Sequence, residues 1–107
     1  MTNTKQVVTD TGNASTMRGI LQSIAIARIR CREFARLRKS DEAQQALARA
    51  RELYAELLST ADLENPVHRS IVRNRRVDLG MMVAEVESCR LKCEVDKVRR
   101  ARRKAGA

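Results

Sequence analysis

Apolar residues recur along much of this chain at alternating spacings of three and four, and that rhythm admits helices and little else. Met17, Ile20, Ile24, Ala27, Cys31 and Phe34 form one continuous seam. Ser15 or Asn13 is placed to cap this first helix, which the pattern carries to about Lys39. Ile26, Ile29 and Leu37 form a second stripe, so the helix is expected to touch two neighbours, one of them from another chain. Ser40 reads as the next N-cap, with Asp41 and Glu42 in a first turn where the helix dipole favours acids. The second helix, about 41–59, lines Ala43, Ala46, Leu47, Ala50, Leu53, Tyr54, Leu57 and Leu58 along one face. Its opposite face is polar. A connection as short as Lys39–Asp41 makes the first two helices an antiparallel hairpin.

Residues 59–65 read as a loop, and Asn65-Pro66 opens a third helix with Pro at the first helical position. The pattern runs on to about Lys104, roughly 60 Å at 1.5 Å per residue. Arg75, Leu79, Met82, Val86, Cys89 and Cys93 keep a heptad spacing, and the same register turns polar at Asp96 and Arg100. Core contact is therefore expected to end near Cys93, with the last turns projecting into solvent. Gly80 costs a helix about 1 kcal/mol relative to Ala and allows a kink or break within Asn74–Gly80. The expected fold is all-α: an antiparallel helical hairpin plus a long third helix, a three-helix, coiled-coil-like arrangement. It is organised as a disordered arm over residues 1–13, a helical domain over 14–96 and a basic extension over 97–107. The run Cys31, Phe34, Asp41-Glu42-Ala43, Leu47 and Ala50 loosely resembles one tetratricopeptide repeat. No second copy follows at a period of about 34 residues, so it reads as a generic hairpin.

Composition sets limits on this architecture. One hundred and seven residues make one domain with a modest core. Much of the 43% apolar content is alanine, and Phe34 and Tyr54 are the only aromatic residues. A core that thin suggests that dimerisation adds burial. The arm is polar and Thr-rich, without helical period. Three cysteines, with no signal-like segment, point to a reducing cytoplasm. No apolar run approaches the roughly 20 residues needed to cross a bilayer. The basic tail also has no Trp, Phe or Leu to insert into a membrane surface.

Charge is distributed unevenly within a net +9. Arg18–Lys39 has seven basic residues against Glu33 alone, and Asp41–Glu64 has two against six acids. Arg69–Arg76 has four arginines and no acid, and Arg90–Lys104 has eight basic residues against Glu94 and Asp96. Part of this has a plain explanation. Arg36, Arg38 and Lys39 suit a helix C-terminus. Asp96–Arg100 and Glu87–Arg90 have the spacing of surface ion pairs. The acidic second helix is placed to neutralise basic neighbours, and a GC-rich genome alone would favour Arg, which makes up 17 of the 22 basic residues. After Asp96, however, no acid remains to pair with Lys97, Arg99, Arg100, Arg102, Arg103 and Lys104. Such an excess suits a polyanion, and nucleic-acid phosphate is the commonest one in a cell.

Sharper sites are weaker. A helix-turn-helix would use Pro66–Arg76 as its reading helix, with Arg69, Arg73, Asn74 and Arg76 reaching the nucleic acid. The connection before it is long for that motif and lacks a turn glycine, so a solvated, Arg-rich helix start is the better expectation. Single-strand binding by base stacking is disfavoured, because Phe34 and Tyr54 lie on apolar stripes. Cys89 and Cys93 lie one turn apart and Cys31 can approach them, but a structural zinc site needs four ligands. His68, the only histidine, is about 31 Å from Cys89 along a continuous helix. All three cysteines fall on core seams, where they act as small hydrophobes. No phosphate loop or nucleophile motif suggests an enzyme, a metal or a cofactor.

Two functions follow as expectations. In the first, the protein binds DNA or structured RNA through phosphate contacts from Arg69, Arg73, Arg75, Arg76, Lys97, Arg99, Arg100, Arg102, Arg103 and Lys104, as a helical homodimer. In the second, it is a regulatory or inhibitory module that docks on an acidic protein surface, with Ile26, Ile29 and Leu37 as the apolar contact.

Overall fold

A computed structural model of the chain describes residues 16–106. It has three helices: α1 (Met17–Arg36), α2 (Ser40–Thr60) and α3 (Pro66–Gly106). No strand occurs among the described residues. The expected arm at 1–13, like the proposed caps Asn13 and Ser15, lies outside them. The cap of α1 is Thr16, whose hydroxyl accepts from the Gly19 N–H at 3.1 Å.

The chain leaves α1 earlier than Lys39, and the reason is local. Leu37 is the last partly helical residue, and Arg38 adopts a left-handed φ of 60°. The Lys39 N–H then bonds back to Phe34 O and the Arg38 N–H to Ala35 O, at 2.8 and 3.1 Å. This pair of bonds is a Schellman closure, which usually places Gly at the left-handed position. Ser40 is consequently the first residue of α2 and not its cap. Lys39 holds the cap position without a side-chain hydrogen bond, and Ser40 Oγ accepts from Gln44 Nε2. Asp41 and Glu42 complement the α2 dipole. At the other turn, Asn65 Oδ1 accepts from the Val67 N–H at 2.8 Å and so caps α3 directly before Pro66.

The three helices run up, down and up. Late α2 meets early α3: Leu53 and Leu57 cluster with Ile20 and Ile24, with Val72 packed against them. Early α2 meets the middle of α3: Ala43, Leu47 and Ala50 cluster with Ala27, Cys31, Met82 and Val86. All of these except Val72 lie on the apolar seams described above. Ala43, Ala50 and Cys31 are fully enclosed, and such small side chains let helices approach closely. Phe34 and Tyr54 are half-buried at the edges of the clusters.

α3 is continuous for 41 residues, and Gly80 does not break it. Its position explains why: it faces open space, with nothing within 4 Å of a would-be Cβ. The helical hydrogen bonds on either side carry the chain across. The final turns are also helical through Gly106, although the tail lacks apolar groups to fold on. Extending an existing helix avoids the nucleation step, and Ala, Arg and Lys are good helix formers. Contact with the hairpin ends at Cys93 and Asp96, both half-buried, and every residue from Lys97 to Gly106 is exposed. That overhang is about 15 Å of bare helix and contributes to an overall length of 70 Å.

Candidate nucleic-acid interface

The basic side chains are sorted by which of them find an acid. The excess on α1 is answered by α3, not by the acidic α2. Arg28 Nη1 lies 2.8 Å from Asp78 Oδ1, Arg32 Nε lies 3.4 Å from Glu85 Oε2, and Arg38 pairs with Asp96. Arg36 pairs with Glu33 within α1. The expected Glu87–Arg90 pair is present at 2.6 Å, and the hydrogen bond from Arg90 holds the Glu87 carboxyl below its usual range. The expected Asp96–Arg100 pair is absent, because Arg38 reaches Asp96 from the hairpin turn. That contact also supplies a reason for Arg at a left-handed position. Arg38 holds α3 through its guanidinium, while its carbonyl accepts from Cys93 Sγ at 3.5 Å.

The Arg69–Arg76 cluster is divided in the same way. Arg69 Nη1 donates to the carbonyls of Leu63 and Glu64 at 2.9 and 3.2 Å, closing the loop before α3. Arg75 is half-buried, with Nε 2.9 Å from Asp78 Oδ2 in an ion pair without a hydrogen bond. Asp78 therefore sits between Arg28 and Arg75. Arg73 and Arg76 are exposed and have no ion pair among the described residues. The segment is not a separate reading helix, since its first turns belong to the long α3 and run antiparallel to α2. A helix-turn-helix sets its helices at roughly 90–120°.

The C-terminal cluster is different. Lys97, Arg99, Arg100, Arg102, Arg103 and Lys104 are all exposed, and none has an ion pair or hydrogen bond to a described residue. At 100° per residue they cover about 220° of the helix circumference and leave the sector of Val98, Ala101 and Ala105 uncharged. The structure thus brings six of the ten expected cations together on one overhanging element. Arg73 and Arg76 remain about 30 Å or more away along the helix axis.

The cysteines and the histidine have structural roles. Cys31 and Cys89 are buried and Cys93 is half-buried. Burial, followed by the Glu85 carboxylate and the Cys89 thiol, raises the Cys31 thiol above its ordinary range. Burial, followed by Cys93, raises Cys89. Cys31 Sγ donates to Ala43 O at 3.7 Å. No group of three or more metal-ligating side chains is placed to hold an ion among the described residues. His68 Nδ1 accepts from the Asp62 N–H at 2.9 Å and fastens the α2–α3 loop.

Sequence reasoning missed the cross-helix pairs Arg28–Asp78, Arg32–Glu85 and Arg38–Asp96, because their members lie 50, 53 and 58 positions apart in the chain. Among the described residues, no helix is long and apolar enough to cross a membrane. Ile26, Ile29 and Leu37 are exposed, Ile29 by 69%. No protein-family model, curated protein or solved structure matches the chain.

Proposed function

We propose that this is a small nucleic-acid-binding protein of the cytoplasm that grips a duplex through the phosphate backbone, without catalysis. The observation that carries this reading is the overhanging end of α3, where six exposed cations cover more than half the circumference of the helix and make no ion pair within the described fold. A helix charged over about 220° of its circumference can meet both phosphate walls of a groove, which a flat surface does not offer. The B-DNA major groove, about 12 Å wide, admits one α-helix. The major groove of an RNA duplex is too narrow, so DNA is the favoured duplex. Arg73 and Arg76 are auxiliary contacts, while Arg69 and Arg75 are held by the fold.

The test is anisotropy with labelled duplex DNA, comparing the full chain with a variant in which the six tail cations are Gln. Six phosphate contacts give a log–log salt slope of about −5, or roughly a thousandfold loss between 50 and 200 mM salt. The Gln variant is expected to bind weakly at either salt while keeping its helicity and melting temperature. Equal affinity in the two proteins would end this assignment.

A second reading is favoured by the exposed Ile26, Ile29 and Leu37: a regulatory module that docks on an acidic protein surface through α1. It predicts a stoichiometric protein complex that replacement of the three residues with Ser abolishes, together with negligible affinity for free duplex.

A further inference from the structure

α3 carries a second heptad seam outside its core face, bordered on one side by the hairpin, whose Arg28 Nη2 donates to Met81 Sδ at 3.6 Å. Val77, Met81, Ala84, Ser88, Leu91, Val95 and Val98 follow spacings of four and three without exception, over a little more than three heptads. Each lies two positions after a residue of the hairpin-facing seam (79, 82, 86, 89, 93 and 96), or two before its first, which at 100° per residue is nearly the opposite side. All seven are exposed, and the five large ones are 45–58% accessible. A shallow groove of about 610 Å³ follows part of this face: Ala84, Ser88, Leu91 and Val95 form its floor, and charged residues, among them Arg38 of the hairpin turn, form its rim. In heptad terms Met81, Ser88 and Val95 take a positions, and Val77, Ala84, Leu91 and Val98 take d positions.

We infer that this seam is the contact surface for a second copy of the chain, in a parallel, in-register two-stranded coiled coil. The charges beside the seam select that occupant. In a parallel coil each g residue faces the e residue five positions later on the other strand. Here that rule sets Glu87 against the second copy's Lys92, and Glu94 against the second copy's Arg99, each pair occurring twice by symmetry. The remaining g position within the seam is Gly80, so no like charges meet. In an antiparallel coil g faces g and e faces e; the register that overlays the two seams sets Glu87 against Glu94 of the other strand, and the acids it would offer Lys92 and Arg99, Glu85 and Asp78, are already paired with Arg32 and Arg28. The a position upstream of the seam is Asn74, a residue type that at a fixes register in parallel dimers. The a position downstream is Arg102, where two facing guanidinium groups end the seam. Beyond Val98 the helices separate, and two copies of the basic overhang leave one coiled coil side by side.

Ala84 and Ser88 make the central layers small, so association is of modest strength and depends on concentration. Among its pairing residues this inference shares only Arg99 with the phosphate-binding reading, and its test contains no nucleic acid. Sedimentation equilibrium of the full chain, from micromolar to millimolar concentration under reducing conditions, should show a monomer–dimer equilibrium. Leu91→Glu with Val95→Glu should weaken it by about a hundredfold or more, since four apolar groups per dimer become charged. Circular dichroism should show unchanged helicity, because both side chains are exposed in the single chain. Val98→Cys, oxidised, should give a disulfide-linked dimer that the parent chain lacks; the antiparallel register would hold the two sites about 26 Å apart. A mass that stays monomeric throughout overturns the proposal. A dimer that survives the Glu substitutions, or one in which Val98→Cys fails to cross-link, overturns the proposed surface or its orientation.

Discussion

The two arginine-rich ends of α3 resemble each other in composition, yet the fold treats them oppositely. At the N-terminal end, Arg69 ties down the loop through two carbonyls and Arg75 helps Arg28 neutralise Asp78. At the C-terminal end, six exposed cations make no ion pair with any described residue, although Lys97 and Arg100 border a groove shared with Asp41 and Glu42. The difference shows that local charge density is a poor guide to how much charge a fold leaves unpaired. What matters is the charge left over after the fold has made its own pairs.

The largest effect that can break this comparison is on duplex affinity. The six-Gln tail variant should lose on the order of a hundredfold or more at about 50 mM salt. A paired variant with Arg69→Gln and Arg75→Gln should bind within a few-fold of the parent. Comparable losses from both would remove the distinction between them.

Stability should respond in the reverse sense. Arg75→Gln leaves Asp78, only 15% exposed, with one partner in place of two, and is expected to lower unfolding free energy by about 1–2 kcal/mol. The six tail substitutions should change it by less than about 0.5 kcal/mol, as befits exposed sites. Urea denaturation of both variants measures this directly.

Alkaline pH sharpens the same division, since both raised thiols belong to the bundle. Cys31 and Cys89 are held above their ordinary values mainly by burial. The unfolded chain therefore releases these protons first, and stability is whole below about pH 8.5 and falls as pH rises through the raised folded values. The melting temperature should decline over that range, and Cys31→Ala should flatten the decline while lowering the starting value. In the native protein, alkylation should modify half-buried Cys93 before either buried thiol.

The smallest effect lies between the two clusters. Gly80→Ala meets open space in a continuous helix and should stabilise the fold by about 0.5–1 kcal/mol. A destabilised variant would mean that the two ends of α3 are joined by something other than a plain helix.

Much of the architecture was legible because it depends on local periodicity. The seams from Met17 to Phe34, Ala43 to Leu57 and Leu79 to Cys93 each predict a helix and its buried face, and the structure places them there. Pro66 predicts the start of α3 for an equally local reason. Short-range rules were less reliable at helix ends: the left-handed turn at Arg38 shortens α1 and displaces Ser40 from its expected cap. They also assigned Asp96 to Arg100, the neighbour one turn away, when Arg38 reaches it from 58 positions earlier.

By itself, then, the sequence determined the helices, their inward faces and the presence of excess positive charge, because each is encoded within a few turns of chain. Only the tertiary structure decided which cations are spent. That outcome depends on the relative register of α1 and α3, which brings Arg28, Arg32 and Arg38 to acids at 78, 85 and 96. The register in turn comes from packing Cys31, Met82 and Val86 in one core, an interaction that no local pattern specifies.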